Sequence, residues 1–367
     1  MNKAGYKRLG DYIREVNVRN RELKVTNLLG LSVSKEFMPS IANTIGTDMS
    51  TYKIVERNQL VYIADTSRRG DKIAIGLLDK YDNVIVSQAY TVFEVIDHEQ
   101  LLPEYLMMWF RRPEFDRYAR FHSHGSAREV FDWDELCDVY LPIPSITRQR
   151  EIVSEYETLT NRIRLNNQMI QNLEATAQTL YRKMFVDNID KENLPEGWRM
   201  GTLSEVALLK AGGDRPIDFS EKKTETYNVP VYANGIENKG IFGYTTRPIM
   251  KAKSITISAR GTIGYCFLRK EPYVPIVRLI VVVPYDEVIT QYLFYYLNAS
   301  NIKGSGSVQS QLTVPDMEER EIMIPSTQII QEFNNNVEII DKSISTFEQE
   351  NSKLTELQSL LLAKMGL

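Results

Sequence analysis

Only two of the 367 residues are cysteine, Cys137 and Cys266. That is too few for a disulfide framework, and it fits a reducing, cytoplasmic setting. No apolar run approaches the ~18 residues of a membrane-spanning helix, so no membrane partner is expected. The opening stretch MNKAGYKRLGDYIREV lacks the apolar centre of a signal peptide. There is no Gly-x-x-x-x-Gly-Lys-Ser/Thr phosphate loop and no Asn-Pro-Pro-aromatic tetrapeptide of the kind amino-methyltransferases carry. Histidine is scarce at three residues. His122 and His124 have no third ligand in reach, and the two cysteines lack metal spacing, so no metal site is expected. Pro315-Asp316…Glu319-Arg320 faintly resembles a nuclease acid cluster, but both it and Asp134-Glu135…Asp138 read better as acidic first turns of short helices. Gly304-Ser-Gly-Ser307 reads as a turn rather than a nucleotide loop. A self-contained methyltransferase or nuclease is thereby disfavoured. The net charge of −4 also argues against a protein that coats nucleic acid by bulk charge.

What the chain does have is a repeat. Leu141-Pro-Ile-Pro-Ser145 recurs as Ile322-Met-Ile-Pro-Ser326, 181 residues later, and the offset holds to the end: Ile163 matches Ile344, Leu173 matches Leu354, and Lys183-Met184 matches Lys364-Met365. Tyr105-Leu106 matches Tyr292-Leu293 at an offset of 187, so the first copy carries six extra residues beyond that point. Length alone suggests two or three domains. The repeat resolves this into two copies of one unit, a mixed domain followed by a long helix.

The helices carry the clearest periodicity. One apolar seam runs Ile152, Tyr156, Leu159, Ile163, Asn166, Ile170, Leu173, Ala177, Leu180, Met184. The other runs Phe333, Val337, Ile340, Ile344, Phe347, Asn351, Leu354, Gln358, Leu361, Met365. Both alternate spacings of four and three, a heptad a/d pattern without proline or glycine. Ser145 and Ser326 stand as N-caps. Each helix would be roughly 50 Å long. Because a whole domain lies between them, an antiparallel pair is the economical arrangement. A pseudo-two-fold relation would then set Asn166 against Asn351, and a buried Asn pair specifies register. Helices packing only on their own domains are the alternative. The coiled-coil interface is expected to include Ile163, Asn166, Ile170, Leu173, Ile344, Phe347, Asn351 and Leu354.

The fold class is α+β, with boundaries at 1–145 (first domain), 146–186 (central helix), 187–197 (polar linker), 198–325 (second domain) and 326–367 (C-terminal helix). Val84–Val95 and Val274–Val283 read as strands; Pro103–Phe110 and Thr290–Leu297 read as amphipathic helices. Charge is uneven. Between 239 and 278 lie Lys239, Arg247, Lys251, Lys253, Arg260, Arg269, Lys270 and Arg278, opposed only by Glu271. Such a basic window in an acidic chain reads either as a phosphate-facing surface or as an ordinary solvated face. The expected DNA contacts in the second domain are Lys239, Arg247, Lys251, Lys253 and Arg260, with Asn234 and Gln309 for polar base contacts. In the first domain they are Arg68, Arg69, Lys72 and Arg128, near a further run of Arg111, Arg112, Arg117 and Arg120.

Domain, helix, domain, helix resembles the specificity subunit of a type I restriction–modification enzyme. Leu141-Pro-Ile-Pro-Ser-Ile-Thr-Arg-Gln-Arg-Glu-Ile152, Pro230-Val-Tyr-Ala-Asn-Gly-Ile236, Ile257-Ser-Ala-Arg-Gly-Thr-Ile-Gly264 and Gly306-Ser-Val-Gln309 resemble that family's recurring pieces. Two departures stand out: Gln149 is matched by Ile330 in the second copy, and the first domain lacks a counterpart to Trp198. The resemblance implies two target recognition domains that read an asymmetric, bipartite DNA site, with the coiled coil as spacer. It implies double-stranded DNA, two DNA methyltransferase (modification) subunits and restriction motor–nuclease subunits as partners. S-adenosylmethionine, ATP and Mg would sit on those partners, with no cofactor and no catalysis in this chain. The alternatives are a specificity protein of another methyltransferase–nuclease system and a coiled-coil adaptor without DNA reading.

Overall fold

The computed structural model describes residues 5–40, 46–65, 72–125, 129–187, 189–251, 253–300, 302 and 311–366. Packing divides the chain into two units, Met1–Asn166 with Glu348–Leu367, and Asn167–Phe347. Each unit therefore holds one globular domain and one end of both long helices. No described helix is long and apolar enough to cross a membrane.

In the first unit the chain runs β1 (Tyr6–Arg8), β2 (Ile13–Val16), β3 (Leu29–Leu31), β4 (Phe37–Pro39), β5 (Lys53–Glu56), β6 (Leu60–Ile63), β7 (Ile75–Leu77), β8 (Asn83–Val86) and β9 (Tyr90–Val95). Then come α1 (Pro103–Phe110), α2 (Pro113–Phe121), α3 (Trp133–Cys137), β10 (Tyr140–Pro142) and the long α4 (Ile146–Phe185). A four-stranded sheet has the order β2-β9-β6-β7, while β1 pairs with β10, β3 with β4 and β5 with β8. Prolines at the first position open α1 and α2, where the missing N–H costs nothing. The core joins Ile13, Leu60, Phe93 and Val95 of the sheet to Leu106 and Phe110 of α1. Ile152 and Val153 enter the same core from the start of α4, and Leu362 and Met365 from the end of the C-terminal helix.

The second unit repeats the plan. It contains β11 (Arg199–Thr202), α5 (Leu203–Val206), β12 (Ala207–Ala211), β13 (Val229–Tyr232), β14 (Ile241–Thr245), β15 (Ser254–Ile257), β16 (Cys266–Arg269), β17 (Val274–Pro275) and β18 (Ile280–Pro284). α6 (Thr290–Ala299), α7 (Val314–Glu318), β19 (Glu321–Ile324) and α8 (Thr327–Lys364) follow. Its four-stranded sheet, β12-β18-β15-β16, has the connectivity of the first one, and β11 pairs with β19 as β1 does with β10. Again the sheet backs onto a helix, α6, and onto the ends of both long helices, through Ala177, Tyr181 and Phe185 of α4 and Phe333 and Val337 of α8. The six extra residues of the first copy fall where α2 is formed.

Two strand expectations need correction. Val84–Val95 is not one strand: the chain turns at Ser87, whose carbonyl accepts from Tyr90 N–H at 3.1 Å, and splits it into β8 and β9. Val274–Val283 is likewise broken into β17 and β18, with Val277 and Arg278 at φ of 52° and 57° between them. Both runs are rich in β-branched residues, which masks the Ser87-Gln88-Ala89 turn in the first and outweighs the break that Pro275 signals in the second.

The ten seam positions of α4 are all buried or half-buried, from Ile152 to Met184, and so are the ten of α8, from Phe333 to Met365. Within the first unit, Arg162 pairs with Glu350 at 2.8 Å and Gln358 Nε2 donates to Thr160 Oγ1 at 2.7 Å. The numbers fall on one helix as they rise on the other, so the helices are antiparallel there. Asn166, 3% exposed, donates from Nδ2 to Asn351 Oδ1 and to Glu350 Oε2, both at 3.0 Å. In the second unit Phe333 of α8 packs edge-on against Phe185 and Tyr181 of α4. The Oγ of Ser145 accepts from Arg148 N–H at 3.4 Å at the start of α4.

The mismatch between Gln149 and Ile330 has a physical basis. Gln149 is fully buried. Its Oε1 accepts from Leu102 N–H at 2.9 Å, and its Nε2 donates to the carbonyls of Gln100 and Pro144 at 2.8 and 2.9 Å. This amide staples α4 to the loop ahead of α1. Ile330 instead fills an apolar position in the second core.

Candidate nucleic-acid interface

The basic window of the second unit does not survive as eight free cations. Arg269, 5% exposed, lies 3.5 Å above the Tyr232 ring. It donates to Thr256 Oγ1 at 2.9 Å and to the Lys239 carbonyl at 2.7 Å. Burial pushes its pKa down, and its cation is consumed in holding β16 to the turn before β14. Lys270 pairs with Asp341 of α8 at 2.7 Å. Lys253 has Glu287 at 3.8 Å, a loose exposed pair.

The rest of the window is exposed. Lys239 sits in a left-handed turn with Asn238, at φ of 55° and 48°. Arg247 and Lys251 flank Met250, which bridges to Tyr273. Arg260 lies in the loop between β15 and β16, where its Nη2 donates to Gln311 Oε1 at 3.2 Å. That loop is closed by Ser258 N–H to Tyr265 O and Gly264 N–H to Ser258 O, both 2.9 Å. Gly264 has φ of 88°, and a Cβ there would lie 2.8 Å from the Ile302 carbonyl oxygen, so only glycine fits.

Asn234 has a different job from the one its residue type suggests. Its Nδ2 donates to the Val277 carbonyl at 2.7 Å and its Oδ1 accepts from Ala259 N–H at 2.7 Å. Both ends of the amide are committed to the protein. Gln309 lies outside the described residues.

In the first unit, Arg68, Arg69 and Arg128 also lie outside the described residues, and Lys72 is exposed. The neighbouring arginines are engaged. Arg111 pairs with Glu36 at 2.8 Å and Arg117 with Glu114 at 3.1 Å. Arg120 pairs with Glu129, and Arg112 is buried over the Trp109 ring at 4.2 Å. His122 and His124 both face Glu135, at 3.0 and 3.4 Å, and no group of three or more metal-ligating side chains exists among the described residues. A feature that residue type did not announce is Lys35. Held at φ of 66°, it is buried against Asp116 at 2.8 Å and caps the Phe110 carbonyl at the end of α1. Its ammonium pKa is lowered by burial, against the pull of Asp116.

The long helices carry grooves at equivalent positions of the repeat. In the first unit a groove of about 540 Å³ is lined by Ser154, Glu155, Thr158 and Leu159 of α4 and by Leu357, Leu360, Leu361 and Lys364 of α8. Leu357 and Leu360 are 50% and 60% exposed, off the seam. The second unit has a groove of about 340 Å³ lined by Ala175, Thr176, Thr179, Leu180 and Lys183. Thr176, Thr179, Leu180 and Lys183 are the repeat counterparts of Leu357, Leu360, Leu361 and Lys364. One site is leucine-rich where the other is threonine-rich. Comparing the copies off the seam would have exposed this difference in the sequence.

Residues 35–175 and 195–359 match the model of the type I restriction modification DNA specificity domain. A Mycoplasma pneumoniae protein named as a type I specificity subunit is 35% identical over 213 residues, 58% of this chain and 57% of that protein. Another from the same organism is 39% identical over 129 residues, 35% of this chain and 38% of the relative. The chain thus spans less than two thirds of either. The specificity subunit of the type I restriction enzyme HindI, from Haemophilus influenzae, is 21% identical across 85% of this chain and 86% of its own length. The crystal structure of a type I restriction-modification S subunit from M. genitalium superposes with a TM-score of 0.57 at 15% identity, over 100% of this chain and 98% of that one.

Proposed function

The chain belongs to the type I restriction modification DNA specificity family, and on that premise we propose that it is the DNA-reading subunit of a type I restriction–modification complex. Each globular domain reads one half of a bipartite target on double-stranded DNA, and the paired helices act as the spacer. The observation that carries this is the duplication itself. The same four-stranded connectivity, the same supporting helix and the same paired helix ends occur twice, while the surface residues of the two domains differ. A duplicated frame with divergent surfaces suits two readers of unlike half-sites.

The chain itself binds and measures and performs no chemistry. Two DNA methyltransferase subunits dock on the helices, the two grooves being their seats, and restriction motor–nuclease subunits join for cleavage. S-adenosylmethionine, ATP and Mg belong to those partners.

In the second domain the exposed cations Arg247, Lys251 and Arg260 face the duplex. Phosphate contacts give affinity that falls with salt, and an arginine can read guanine in the major groove. With a net charge of −4, and with Arg269, Lys270 and Lys253 of the basic window already engaged within the second unit, the chain alone binds DNA weakly and needs its partners to close around the duplex. The test is charge reversal, R260E with K251E, in the assembled complex. Specific binding should be abolished; unchanged binding would remove this surface from the interface.

A further inference from the structure

Two consecutive residues between β17 and β18, Val277 and Arg278, adopt left-handed backbone at φ of 52° and 57°. A β-branched residue seldom does so, and the conformation persists only where its surroundings enforce it. Here they do. Val277 N–H donates to the Gly213 carbonyl at 2.9 Å, Arg278 N–H to the Gly212 carbonyl at 3.0 Å, and Gly212 N–H returns to Leu279 O at 2.8 Å. A Cβ on Gly212 would sit 2.8 Å from Ile276 N, so the close approach requires glycine. The fourth clamp is Asn234, whose Nδ2 holds the Val277 carbonyl at 2.7 Å.

The other end of the same amide holds a second loop. Asn234 Oδ1 accepts from Ala259 N–H at 2.7 Å, and Ala259 O accepts from Leu312 N–H at 2.9 Å. The residue after Val277 is Arg278, and the residue after Ala259 is Arg260. Both side chains are exposed. One carboxamide and two hydrogen bonds thus root the two arginine-bearing turns about 8 Å apart or less.

We propose that Asn234 is the positioning residue of a two-arginine grip, in which Arg260 and Arg278 both contact the DNA and Asn234 contacts none of it. This rests on reading this face as the DNA side of the second domain. A fixed pair of guanidinium groups engages a phosphate and a guanine edge, or two phosphates, without the ordering cost of two independent long side chains. Strain at Val277 serves to aim Arg278.

The test uses the full chain assembled with its modification subunits and titrated with duplex containing its target. R260A and R278A should each weaken binding about ten- to a hundredfold, and N234A should weaken it comparably. In the R260A/R278A background N234A should add no further loss, because nothing remains to position. N234D keeps the acceptor for Ala259 and loses the donor for Val277. Its effect should therefore be smaller on top of R278A than on top of R260A, a difference in which the added carboxylate charge cancels. It also decides the matter should N234A fail to fold. Wild-type affinity in N234A, or a loss that persists in full without the two arginines, would overturn the proposal. If the wild-type complex binds no duplex at all, the DNA-reading function itself fails, which is a separate outcome.

Discussion

Asn166 donates its side-chain amide to Asn351 at 3.0 Å inside a mostly apolar helix seam, the register that equal and opposite progress along two copies of one heptad pattern requires. A polar pair in this setting fixes alignment at some expense of stability. Replacing both residues with isoleucine should raise the melting temperature by several degrees while cysteine cross-links placed at Thr160 and Gln358 lose selectivity for their native partner. A single N166I should instead lower stability by about 1–3 kcal/mol, because Asn351 keeps a half-buried polar group with one partner gone. A double variant less stable than either single would contradict the pairing.

Gln149 and Ile330 occupy matching positions with opposite chemistry, and each should refuse the other's residue. Q149I leaves Leu102 N–H and the Gln100 and Pro144 carbonyls without their partner. I330Q places an amide in an apolar core. Each should cost about 2–4 kcal/mol in urea unfolding. A change below about 0.5 kcal/mol in Q149I would remove the stapling role of Gln149, and one that small in I330Q would remove the apolar constraint at Ile330.

Both cysteines are buried and free. Burial pushes the Cys266 thiol up to about 12 and raises that of Cys137. The thiolate is the nucleophile, so the native chain at pH 8 should be alkylated far more slowly than the urea-unfolded chain. Because the folded pKa of Cys266 lies above its unfolded value, the unfolded state loses its proton first. The stability tied to that proton is full below about pH 9 and declines between about pH 9 and 12. Mass spectrometry of iodoacetamide-treated protein reads the labelling, and native labelling at the unfolded rate would contradict the burial of these thiols.

Leu357 and Leu360 stand off the seam on the outer side of α8. L357D/L360D should change the stability of the chain by no more than about 0.5 kcal/mol per residue, yet reduce capture of a modification subunit at that end at least tenfold. T176D/T179D should act on the other end. Sedimentation of the reconstituted complex separates the two, since loss of one seat leaves a complex with one modification subunit. Full assembly of both variants would place the seats elsewhere.

The repeat and the seam were legible because both are periodic. Offsets and heptads survive translation into sequence when residues such as Ile163 and Leu354 recur at fixed spacing. The turns at Ser87 and Val277 were harder to read: neither carries a glycine, and although Pro275 stands just ahead of the second, the flanking β-branched residues read as one strand. The basic window was legible as charge but not as surface. Arg269 against the Tyr232 ring and Lys270 against Asp341 add to the window's charge in one dimension and are structural in three. Asn234 illustrates the same limit. An amide near cations reads as a base contact until its two partners are seen to be backbone groups.

The most direct measurement is the pattern of methylated bases in the genome of a cell that expresses this chain with its modification subunits. Two unlike readers joined by a stiff spacer predict one asymmetric motif of two short half-sites, separated by a gap of fixed length. Exchange of residues 198–325 for those of another family member should alter one half-site and leave the other unchanged. A single continuous motif, a palindrome, or a gap that varies from site to site would contradict two distinct readers held at a set distance.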